Sequence, residues 1–112
     1  METPAPLLPD QSTPFLAVDL DVLDRNMRAM AAGAAARRIA LRPHAKSHKC
    51  VQIARRQIVS GAVGLTVATV SEAEVFAQAG CTDLFIAYPV WASGARAARL
   101  RALADQVSLR VG

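Results

Sequence analysis

Short apolar segments begin near residues 39, 64, 84 and 107, and each gap between them holds a stretch with helical spacing. A strand alternating with a helix every roughly 20–25 residues is a repeated βα unit. After each crossover the chain re-enters the sheet from the same end, so the strands run parallel. Two closures are possible. A doubly wound sheet could be complete within 112 residues. An eight-stranded βα barrel takes about 250 residues, so this chain would supply only its first three to four units.

The units can be read in order. Residues 1–14, with Pro4, Pro6, Pro9 and Pro14, read as a flexible lead-in. Phe15-Leu16-Ala17-Val18 reads as a short opening strand. Asp21 is placed to cap the helix that follows, with Asp24 in its first turn, and Leu20, Leu23, Met27 and Met30 form its apolar stripe. Residues 39–41 read as a strand whose ladder Pro43 ends. The next helix turns Val51, Ala54 and Ile58 inward and stops at Gly61. Residues 65–69 are a further strand. Ser71-x-x-Glu74 then reads as a capping box opening a helix that buries Ala73, Phe76 and Ala79 and leaves Glu72 on a solvent face. Residues 84–87 form the next strand, ending at Tyr88-Pro89. Ser93 caps a last helix with the stripe Ala97, Leu100 and Ala104, and residues 107–111 begin a final strand.

The chemistry concentrates in Arg42-Pro43-His44-Ala45-Lys46-Ser47-His48-Lys49, between an apolar run and a helix. A strand ending in titratable groups just before a helix is where α/β proteins place their active sites. Lys46 reads as a nucleophilic amine. Such an amine must lose its proton before it attacks a carbonyl, and burial together with neighbouring cations such as Arg42 and Lys49 would favour that. In extended conformation His44, Lys46 and His48 project to one side. Read as a helix instead, His44 and His48 are an i,i+4 metal pair, with no nearby carboxylate as a third ligand and with Pro43 opposing the helix. Thr69 and Tyr88 close their strands at the same end as Lys46. Thr69 either bonds a ligand there or starts a turn; Tyr88 either lines the pocket or ends its strand.

Net charge is +4 and the pI about 9.8, which raises the question of nucleic acid. Arg37-Arg38, Arg55-Arg56 and Arg96/Arg99/Arg101 fall on three separate predicted helices without interleaved aromatic residues, so they read as solvated helix faces and no nucleic-acid partner is expected. Cys50 and Cys81 have neither metal spacing nor the density of a disulfide scaffold, and Trp91 falls in a loop. No apolar run approaches the ~20 residues of a membrane span, and the first residues lack a basic region followed by an apolar core. The expectation is a cytoplasmic protein that does not engage a membrane.

Four stretches together resemble the D-threonine aldolase and D-serine dehydratase group of the alanine racemase-like (fold type III) pyridoxal-phosphate enzymes. They are Thr13-Pro14-Phe15-Leu16-Ala17-Val18-Asp19-Leu20-Asp21, the Arg42 to Lys49 cluster, Ala68-Thr69-Val70-Ser71-Glu72-Ala73-Glu74, and Ile86-Ala87-Tyr88-Pro89. The Pro-His-x-Lys-(Ser/Thr)-His-Lys pattern is the most specific. The resemblance implies an α/β fold in which residues 15–112 are the N-terminal portion of a partial (β/α)8 barrel of alanine racemase type, truncated relative to the family. It implies pyridoxal 5′-phosphate as cofactor, held by Lys46, with His44, Thr69 and Tyr88 beside it. It also implies a small D-amino acid as substrate, a homodimer, and a divalent metal whose ligands lie outside this chain. In the family the opening strand usually joins a second, β-rich domain. The implied activity is retro-aldol cleavage of D-3-hydroxy amino acids to glycine and an aldehyde, with D-serine dehydration or racemisation as alternatives. The 112-residue chain alone is expected to be inactive, and a truncated non-catalytic chain with exposed strand edges is the competing expectation.

Overall fold

Residues 11–112 are described by the structure, a computed structural model. Along the chain come α1 (Leu20–Ala36), α2 (Val51–Val59), β1 (Leu65–Val67), α3 (Val70–Gln78), β2 (Asp83–Ile86), α4 (Gly94–Ala104) and β3 (Ser108–Val111). The strands form one parallel sheet in the order β1-β2-β3, with Leu65 beside Leu84 and Leu84 beside Leu109.

The segment before α2 extends this sheet. Val63 N donates to Leu41 O (2.9 Å), Thr66 N to Pro43 O (2.8 Å) and Ala45 N to Thr66 O (2.8 Å). His44 thereby makes an isolated parallel bridge with Thr66. The strand expected at 39–41 therefore pairs further along, over residues 41–45. Pro43 does not end the pairing. It lacks the N–H that a continuous ladder would use, which reduces the ladder to a bridge, but its carbonyl still accepts from β1.

Which face the helices cover decides between the two closures. Leu65, Val67, Leu84 and Ile86 are fully buried and cluster with Ala54 of α2, Val70, Ala73 and Phe76 of α3, and Leu103 of α4. In-register residues of parallel strands share a face, so α2, α3 and α4 all lie on one side. A doubly wound sheet would place helices on both sides and reverse its strand order. Sequential strands with helices on one face are the opening of a barrel, and the opposite face, with Thr66, Asp83, Phe85 and Arg110, is the one a barrel turns inward.

Several local expectations are corrected. The opening strand at 15–18 is unpaired among the described residues and exposed, Leu16 at 99%. Residues 1–10 of the expected lead-in lie outside the described residues. Asp19, not Asp21, caps α1, accepting from Asp21 N (3.0 Å) and Val22 N (3.1 Å). Asp24 is not a capping group: it accepts two bonds from Arg56 Nη1 (2.9 and 2.7 Å) and ties α1 to α2. Within the α1 stripe only Met27 is buried, while Leu20 and Met30 are exposed. In α4 the buried residue is Leu103 rather than Ala104.

Candidate active site at the carboxyl ends of the strands

Lys46 sits in a turn over residues 45–48, immediately after the His44 bridge. Ala45, fully buried, anchors the turn, and Lys49 N closes it by donating to Ala45 O (2.9 Å). A turn does not keep the alternation of a strand, so His44, Lys46 and His48 are not aligned on one side. His44 is half-buried and its Nδ1 accepts from Lys46 N (3.3 Å). His48 folds back instead: its Nδ1 accepts from Cys50 N (3.0 Å), its Nε2 lies 3.2 Å from Gln57 Oε1, and its ring packs edge-on against Phe76. The helical i,i+4 histidine pair is not formed, because residues 45–48 are not helical. Among the described residues no group of three or more His, Cys, Asp or Glu is placed to hold a metal ion.

The Lys46 side chain is exposed rather than buried. The two cations expected to act on it are both paired elsewhere, Arg42 Nη1 with Asp83 Oδ1 (2.7 Å) and Lys49 Nζ with Glu72 Oε1 (3.6 Å). The expected route to a neutral amine, burial plus adjacent positive charge, is not supplied by these residues.

Thr69 and Tyr88 lie two residues beyond the last residues of β1 and β2, at the same end of the sheet as Lys46. Among the described residues no hydrogen bond joins the three. Tyr88 is 65% exposed. Thr69 is the N-cap of α3: its Oγ1 accepts from Glu72 N (3.1 Å), while Glu72 Oε2 accepts from Ala68 N (2.7 Å). The capping box thus begins at Thr69, two residues before the expected Ser71. Glu72, assigned to a solvent face from the sequence, is half-buried and links this box to Lys49. Ser71 and Glu74 are free to hold α4, and Arg99 donates to Ser71 Oγ (2.9 Å) and to both Glu74 oxygens (2.7 and 2.6 Å). The hydrogen bond from Arg99 keeps Glu74 below the usual carboxylate range.

Sequence reasoning missed the charge cluster on the inward sheet face. Arg42 and Arg110 each place Nη1 2.7 Å from Asp83 Oδ1. The Arg42 hydrogen bond is the main reason Asp83 titrates below its ordinary value; partial burial opposes it, and the charges of both arginines reinforce it. A period-2 reading of residues 83–86 and 108–111 puts Asp83 and Arg110 on one face, a signal the sequence carried. A cleft of ≈ 300 Å³ between α2 and α3, lined by Ile58, Leu65, Phe76 and Cys81, opens at the amino ends of β1 and β2, away from Lys46.

Sequential parallel strands, helices on one face and a lysine turn at the carboxyl ends define the opening units of a βα barrel. Residues 18–110 match the alanine racemase N-terminal domain, and the chain belongs to that family. It is 49% identical over 78 residues to D-threonine aldolase from Arthrobacter sp., covering 70% of this chain and 21% of that protein. It is 44% identical over 75 residues to D-threo-3-hydroxyaspartate dehydratase from Delftia sp. (strain HT23), covering 67% of this chain and 20% of that protein. The fold is similar to the crystal structure of D-threonine aldolase from Filomicrobium marinum, with a TM-score of 0.87 and 44% identity over 99% of this chain and 31% of the solved one. The chain therefore spans about a fifth of the length of the curated relatives it matches. Among the described residues no helix is long and apolar enough to cross a membrane.

Proposed function

We propose that this chain is the lysine-bearing portion of a pyridoxal-phosphate-dependent lyase of the D-threonine aldolase type, which cleaves D-3-hydroxy amino acids to glycine and an aldehyde. The observation that carries the reading is the placement of Lys46. Of the two lysines in the chain, Lys49 is paired with Glu72, whereas Lys46 makes no ion pair among the described residues and stands in a turn at the carboxyl end of the sheet. An amine without a salt-bridge partner beside the strand ends stands where a βα barrel carries its chemistry.

Lys46 would hold the cofactor. His44, whose Nδ1 accepts from the Lys46 backbone N–H, carries its ring proton on Nε2 when neutral and would donate it to the bound cofactor. The Thr69 hydroxyl already accepts from Glu72 N, which leaves its own proton to donate, and Tyr88 offers a phenol from the next strand end. Bound pyridoxal phosphate supplies an electron sink for the pair left on Cα when a bond to it breaks. Holding and orienting that group is the part assigned to these residues. The same reading includes a homodimer, a cytoplasmic location, and a divalent cation held outside these residues; one related dehydratase structure is described as a metal-free form. The dehydratase relative favours a second outcome on the same scaffold, loss of water and then ammonia to give a 2-oxo acid.

Reduction of the protein with borohydride in the presence of pyridoxal phosphate, followed by tandem mass spectrometry, tests the assignment. The pyridoxyl group is expected on Lys46; a label on Lys49, or equal labelling of both, rejects it.

A further inference from the structure

Both histidines of the cluster do the same local job. His44 Nδ1 accepts the backbone N–H two residues on, from Lys46, and His48 Nδ1 accepts the backbone N–H two residues on, from Cys50. Each ring closes a turn around one residue, as an Asn or Asp side chain does. The residue enclosed by His48 is Lys49, whose φ is +46°, in the left-handed region a side chain rarely enters.

We propose that His48 is a positioning residue that sets Lys49 apart from Lys46. By closing the turn across Lys49 it fixes that lysine in left-handed backbone, directs its amine to Glu72, and leaves Lys46 as the lysine presented at the strand ends. The inference rests on the reading of Lys46 given above. Three contacts hold the ring in place. Its Nδ1 is an acceptor, so in the neutral ring the proton is on Nε2, where Gln57 Oε1 receives it at 3.2 Å. Its edge meets Phe76, with ring centroids 6.5 Å apart and planes at 80°. Gln57 belongs to α2 and Phe76 to the core of α3, so the exit of the lysine turn is fastened to both helices. Cys50, the N-cap of α2, makes no capping bond of its own; its Sγ lies 3.2 Å from Gln52 Oε1. Among the described residues Cys50 N makes no other hydrogen bond.

The test uses formaldehyde with a mild hydride reductant on the purified chain, which compares the two amines independently of any cofactor. In the native chain Lys46 is expected to methylate about two- to fivefold faster than Lys49, the range an exposed ion pair produces. His48→Leu, which keeps the apolar contact to Phe76 and removes both ring nitrogens, should bring the ratio to about one and speed exchange of the Cys50 amide about fivefold. His48→Asn, whose Oδ1 takes the position of Nδ1, should restore both; His48→Gln, which reaches toward Gln57 but lacks that local acceptor, should not. A native-like ratio and native Cys50 exchange in His48→Leu overturn the inference. If His48→Leu fails to fold, equal ratios in the Asn and Gln variants overturn it. Pyridoxyl labelling of Lys49 in the native chain would instead reject the functional reading, so the two failures are separable.

Discussion

Arg42 places its Nη1 2.7 Å from Asp83 Oδ1 by passing over Gly64, where a Cβ would collide with both the Arg42 guanidinium and the Asp83 carbonyl. Arg110 reaches the same carboxylate oxygen from β3 at 2.7 Å. One carboxylate thus joins the 41–45 segment, β2 and β3 on the sheet face opposite the helices. The arrangement needs a residue without a side chain on β1's approach, and Gly64 is that residue.

Gly64→Ala should therefore be destabilising even though alanine suits a strand approach as well as glycine does. The Arg42 side chain can move aside, but the Asp83 carbonyl is fixed by the sheet. Overpacking of this kind costs about 1–3 kcal/mol, and urea unfolding should show the midpoint fall with an unchanged slope. A midpoint equal to that of the native chain would mean that the Asp83 carbonyl does not lie against Gly64.

Acid should weaken the fold through Asp83 and Glu74. Both carboxyls titrate lower in the folded chain than unfolded, Asp83 chiefly through Arg42 and Glu74 chiefly through Arg99. The unfolded chain then binds more protons, so stability rises with pH across this range. The stabilisation is complete above the unfolded values, near 4, and is lost as pH falls through the folded ones. Asp83→Asn should flatten the dependence of unfolding free energy on pH below about 4.5 while leaving the Glu74 contribution. An unchanged profile would contradict the triad.

Thr69→Ala should remove the cap of α3 and cost about 1 kcal/mol, whereas Thr69→Ser should be close to neutral. Ser71→Ala, by contrast, should leave α3 capped, because Ser71 serves Arg99 of α4. Denaturation midpoints of the three variants order the capping box; a larger loss from Ser71→Ala would return it to Ser71 and Glu74.

Phe76→Ala should be among the most damaging single changes. Phe76 is 2% exposed, at the centre of the cluster joining α2, α3 and the sheet, and its ring also meets His48. A Phe-to-Ala cavity costs about 3–5 kcal/mol. Because the ring borders the lysine turn, amide exchange at residues 48–50 should quicken along with the core; protection there unchanged would separate the turn from the core.

Strand positions were legible to within a residue or two at Leu65, Leu84 and Val107, because apolar runs between helices have few other places to go. The strand before the lysine cluster was displaced, since Ile39-Ala40-Leu41 reads as the apolar run while the pairing partner, Thr66, selects residues 43–45. The single-sided placement of His44, Lys46 and His48 failed because strand alternation stops once the chain turns at Ala45.

By itself the sequence determined the parallel βα order, the family, and the position of a lysine directly after a strand, because these depend on spacing and residue type along the chain. Tertiary structure decided the choices that local signals left balanced. Thr69 with Glu72 and Ser71 with Glu74 are nearly equivalent capping boxes in isolation, and Arg99 on the neighbouring α4 takes the second pair and leaves the first to the helix. Arg42 looks like a cation acting on Lys46 until β2 brings Asp83 beside it. A carboxylate 41 residues away in sequence can redirect that charge only once the sheet has formed.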